Sequence, residues 1–74
     1  MKCIRKVEER LFEGHYAYRI HYYLGKELVC DIIENPEEYV SAVGLSPEAV
    51  KEIEKANEFC RLVIKELEKK FKYC

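Results

Sequence analysis

Seventy-four residues, 49% of them apolar and 36% charged, describe one small folded domain, too short for a second core and too apolar for disorder. A net charge of −1 excludes a bulk electrostatic pull toward nucleic acid or anionic membrane, so any such contact must come from a local patch. A chain of this size buries only about 60% of its unfolded surface, which predicts help from a disulfide, a metal or a partner subunit.

The opening MKCIRKVEER has no apolar h-region, and no run of about 20 apolar residues follows, so a cytoplasmic location is expected. Gln and Thr are absent and Asn occurs twice, against 13 Glu and 9 Lys. That bias is typical of thermophilic proteins, the one intracellular class in which disulfides are common.

In chain order, residues 2–12 form the first expected strand. Cys3, Val7 and Leu11 share a parity, interrupted by Arg5 and Glu9. Residues 15–24, HYAYRIHYYL, alternate without a fault: Tyr16, Tyr18, Ile20, Tyr22 and Leu24 on one face, His15, Ala17, Arg19, His21 and Tyr23 on the other. Glu13-Gly14 suits a two-residue hairpin turn. That turn pairs Leu11 with Tyr16, Val7 with Ile20 and Cys3 with Leu24, which unites the apolar sets of both strands. Residues 28–33, LVCDII, make a third strand. A three-residue loop before it turns Leu28, Cys30 and Ile32 to the core; a two-residue Gly25-Lys26 turn would bring Val29, Asp31 and Ile33 there instead. The first facing is preferred because it keeps Asp31 in solvent.

Asn35-Pro36 ends the sheet, and Pro36 opens a short helix over 36–43, closed by Gly44. Ser46, Pro47 and Glu48 read as N-cap, N1 proline and first-turn acid of a long helix over 47–72. Val50, Ile53, Asn57, Cys60, Ile64, Leu67, Phe71 and Cys74 recur at 3-4 spacing, and Ala49, Ala56 and Val63 widen the stripe. The expected fold is α+β: a three-stranded antiparallel meander packed on one face by a long C-terminal helix, with a short helix preceding it. A helix of about 40 Å exceeds a sheet of about 25–33 Å. Its last turns therefore overhang, and Leu67, Phe71 and Tyr73 become candidates for homodimer contact. The single Asn57 in the stripe is also a device that sets register in coiled coils.

Cys3, Cys30, Cys60 and Cys74 lack the paired spacing of a zinc site. Cys60 and Cys74 lie about 21 Å apart along one helix, and Cys3 and Cys30 sit on strands flanking a third, so neither pair can bond. Sheet-to-helix bridges remain: Cys30–Cys60 and Cys3–Cys74. The alternative is four reduced thiols acting as small hydrophobes.

His15 and His21 are about 20 Å apart along one strand and cannot share a metal or a bond. No Asp or Asn is expected beside His21, and there is no nucleophile elbow, phosphate-cradling loop or convergent carboxylate pair. No enzyme activity, metal, cofactor or small-molecule substrate is expected. The outer sheet face gathers Lys6, Arg10, Phe12, His15, Arg19, His21 and Tyr23, a basic and aromatic set of the kind that stacks single-stranded bases. A three-stranded sheet backed by one helix resembles the AP2-like DNA-binding domains in overall plan. The run YVSAVGLSPEAVKEIEK, within residues 36–55, is similar to a helix-turn-helix: Val43, Gly44, Leu45, Ser46, Val50 and Ile53 fall at its apolar, turn and cap positions. It departs at Val40, where that motif usually has Ala. Glu48, Glu52 and Glu54 also stand where contacts to phosphate would be wanted. The functional expectation is a non-enzymatic interaction module that self-associates, with nucleic-acid binding as the alternative.

Overall fold

The computed structural model describes residues 2–11, 13–14 and 16–74. Three antiparallel strands, β1 (Ile4–Arg10), β2 (Tyr18–Leu24) and β3 (Glu27–Glu34), lie in the order β1-β2-β3 and are followed by α1 (Pro36–Val43) and α2 (Ala49–Glu68). The class is α+β. One sheet and one helical layer, 41 × 24 × 15 Å overall, leave room for a single thin core. Ile4, Ile20, Tyr22, Ile32, Cys60 and Ile64 form it, with Leu24, Cys30, Leu67 and Phe71 packed around them.

The hairpin register differs from the expected one by a single residue. Ile4 pairs with Leu24, Lys6 with Tyr22, Val7 with His21 and Arg10 with Tyr18. Ile4, not Cys3 or Val7, therefore joins the core, and it is 1% exposed. A one-residue slip moves every side chain of a strand to the other face. β1 resists such a slip poorly: its apolar residues are split between both parities, so the turn and apolar pattern that agreed on the expected pairing left the neighbouring register open. The final described bond of the ladder runs from the Leu11 amide to the Ala17 carbonyl, so the link between them is odd in length. Tyr16, expected in the core, is 67% exposed, whereas Ala17 is completely buried.

At the second turn, Leu24 pairs with Glu27 around a two-residue Gly25-Lys26 link, and Gly25 has φ 63°. A register shift between Tyr22 and Tyr23 then pairs Tyr22 with Cys30 and Ile20 with Ile32. The shift has the effect of a longer loop: Cys30 and Ile32 face the helix and Asp31 faces outward, as expected. Leu28 is the exception. It pairs with Tyr23 and is half exposed.

α1 occupies the expected residues. Pro36 sits in its first turn, and Gly44 ends it at φ 74°, with the Gly44 amide donating to Ser41 and the Leu45 amide to Val40. α2 is shorter than expected at both ends. Residues 46–48 make a tight turn in which the Ser46 hydroxyl donates to the Glu48 carboxylate instead of capping the helix. At the far end the helix stops at Glu68, giving about 30 Å instead of about 40 Å.

The expected overhang is absent. The chain turns back after Lys69, the Ile4 amide donates to the Lys72 carbonyl, and the Cys74 amide donates to the Ile4 carbonyl. Residues 72–74 thus form a parallel strap on the free edge of β1, locked by the Cys3–Cys74 disulfide. Leu67 and Phe71, expected at a dimer contact, pack on the chain's own core instead. A second disulfide, Cys30–Cys60, pins the middle of α2 to β3. Both pairs are those that spacing left open, but Cys74 reaches Cys3 from the strap and not from the helix.

Candidate interaction surfaces

The register places Arg5, Val7, Glu9 and Leu11 on the outer sheet face beside Tyr23, His21 and Arg19. Of the basic and aromatic set expected there, Arg19, His21 and Tyr23 are on that face. Lys6 and Arg10 are on the opposite one, because they share the parity of Ile4. Arg10 donates to the Tyr18 hydroxyl and stacks 5.6 Å from that ring. Phe12 and His15 lie outside the described residues. Arg5 takes the place of the lost cations, 4.5 Å above the ring of Tyr23.

His21 has a partner that sequence reasoning missed. Its Nδ1 lies 2.6 Å from Oδ1 of Asp31, and its Nε2 lies 3.6 Å from the Glu9 carboxylate. The expectation that no acid orients His21 is therefore corrected. The signal was present: with Asp31 facing outward, a pairing of Tyr22 with Cys30 also pairs His21 with Asp31. Two carboxylates on one imidazole neutralise Arg5 and Arg19 on the same face, so the surface carries little net charge. Among the described residues no cysteine thiol is free, because both disulfides are closed.

Several clefts open beside α2, two of which border the sheet. One, of about 270 Å³, has Ile20, Ile32 and Ile64 as its floor, and Lys6, Arg61, Glu34, Glu68 and Tyr73 at its rim. Its rim charges balance, and the Tyr73 hydroxyl donates to Glu68, which together with burial pushes the Tyr73 pKa up to about 12. The other, of about 490 Å³, runs from Ile33 to Pro36 against Glu54, Asn57, Glu58 and Arg61. Asn57 is 5% exposed, and both ends of its amide are engaged by the backbone of Ile33. Asn57 thus fixes register within one chain, where the sequence had suggested a coiled-coil role. Among the described residues no three His, Cys, Asp or Glu side chains gather into a metal site.

Of the positions that resemble a helix-turn-helix, Val43 and Leu45 are 41% and 49% exposed. No helix among the described residues is long and apolar enough to cross a membrane.

The remaining surface is the solvent face of α2. Phe59 and Leu62 are 69% and 59% exposed, next to exposed Ala56 and half-buried Val63. The core stripe accounts for the helix without them, so its period does not single them out. Comparison with protein-family models, with curated proteins and with solved structures finds no match to this chain.

Proposed function

We propose that this chain is a small, thermostable, non-enzymatic interaction module that self-associates through the solvent face of α2. The observation that carries the reading is the exposure of Phe59 and Leu62 at the centre of a helix whose opposite face already fills the core. A large apolar residue gains about 1.5–3 kcal/mol when removed from water, so two adjacent ones favour a partner. The disulfides and the C-terminal strap hold this face rigid, which lowers the entropy lost on binding.

Sedimentation velocity over a range of concentrations tests the reading. The unaltered chain is expected to show a monomer–dimer equilibrium, and Leu62→Glu to remain monomeric with an unchanged far-ultraviolet circular dichroism spectrum. A chain that stays monomeric at millimolar concentration overturns self-association.

A further inference from the structure

We propose that α2 pairs with α2 of a second copy in antiparallel orientation, about a two-fold axis passing between Phe59 and Leu62; the proposal rests on the self-association reading above. Six exposed residues, Glu52, Lys55, Phe59, Leu62, Glu66 and Lys69, follow one another at spacings of 3, 4, 3, 4 and 3. That is the spacing of a helix-packing seam, and it is distinct from the stripe that faces the sheet. Side chains so spaced share one face of a helix.

The order of charges along this seam decides the orientation. Within one chain Lys55 lies 3.9 Å from Glu52, and Lys69 lies 3.0 Å from Glu66, so the seam reads acid-base, two apolar residues, acid-base. Laid against a reversed copy of itself, Phe59 meets Leu62, Lys55 meets Glu66 and Glu52 meets Lys69. Every charged level then faces its opposite, and each contact occurs twice by symmetry. A parallel pairing opposes each residue to its own copy, which sets like charges against one another at all four charged levels. Like charges across an interface penalise that arrangement. The apolar centre is only four large side chains across both copies, so the dimer belongs to the weak, transient class, with a dissociation constant on the order of micromolar.

Charge reversal separates this geometry from self-association in general. Lys55→Glu and Glu66→Lys each create two like-charge contacts in the antiparallel pair and are expected to weaken dimerisation about tenfold at low salt. The double variant K55E/E66K restores opposite charges at both contacts and should return to within about threefold of the unaltered chain. Thermal melts and intact mass under non-reducing conditions check that each variant is folded with both disulfides closed. If the unaltered chain dimerises and Leu62→Glu abolishes it, but the reversals change nothing or the double variant is worse than either single one, the antiparallel seam is wrong and self-association stands. If the unaltered chain is monomeric at millimolar concentration, both fall.

Discussion

The side-chain amide of Asn57 completes the backbone of Ile33: its Oδ1 accepts from the Ile33 amide at 2.9 Å and its Nδ2 donates to the Ile33 carbonyl at 2.8 Å. Ile33 presents these groups away from β2, at the free edge of β3. The side chain of one helical residue thus imitates a neighbouring strand and ties α2 to the sheet. Asn57→Leu leaves both Ile33 groups without their partner. It is expected to cost about 2 kcal/mol in urea unfolding, since unsatisfied half-buried backbone groups lose their hydration uncompensated. A loss under about 0.5 kcal/mol would mean that water replaces the amide.

The two disulfides are expected to differ in reactivity. Cys60 is 1% exposed, whereas Cys74 lies at the surface at the end of the strap. Mild dithiothreitol followed by alkylation and peptide mass mapping should therefore label Cys3 and Cys74 first. In the chain-entropy account, bridges of sequence separation 71 and 30 each stabilise by about 4 kcal/mol. Replacing either pair with Ser should lower the melting temperature substantially.

Tyr73 supplies a pH dependence at the alkaline end. Its hydrogen bond to Glu68, with burial, raises its pKa to about 12 from the ordinary 10.0. A raised folded-state pKa gives stability that is complete below pH 10 and is lost as pH rises toward 12. Denaturant midpoints measured from pH 9 to pH 12 should fall over that window, and the fall should be smaller in Tyr73→Phe. Equal slopes in both chains would remove Tyr73 as the cause.

Gly44 adopts φ 74°, and a methyl group at its Cβ position would meet nothing within 4 Å. Gly44→Ala therefore isolates backbone strain from steric clash. It is expected to destabilise by about 1 kcal/mol in equilibrium unfolding.

The outer sheet face sets Glu9 and Asp31 against Arg5 and Arg19, which leaves little to attract phosphates. Titration with mixed single- and double-stranded oligonucleotides at two salt concentrations is expected to give no salt-dependent binding. Binding that Arg19→Ala weakens selectively would instead assign that face to nucleic acid.

Much of the architecture is legible in the chain. Alternation in YRIHYYL, the Asn35-Pro36 break, Gly44 and the 3-4 stripe from Val50 to Leu67 each report a local backbone preference; the elements form in the expected order, with β2 starting later and α2 shorter at both ends than expected. The surfaces were less legible. Arg10 and Lys6 changed faces because β1 carries weak apolar residues at both parities, so its register follows what packs on Ile4. His21 gained Asp31 through the same cross-strand pairing. Phe59 and Leu62 stood out only once the other face of α2 was occupied.

By itself the sequence determined the element order, the helix face that enters the core and which cysteines could reach one another, because these depend on period, reach and turn chemistry along short stretches. Tertiary structure decided the register of β1, the return of residues 72–74 to its edge and the surface left open on α2. The first two depend on burying Ile4 between β2, α2 and the strap, a balance among segments as far apart as Cys3 and Cys74, and the third on how much of α2 the sheet covers, neither of which a local pattern encodes.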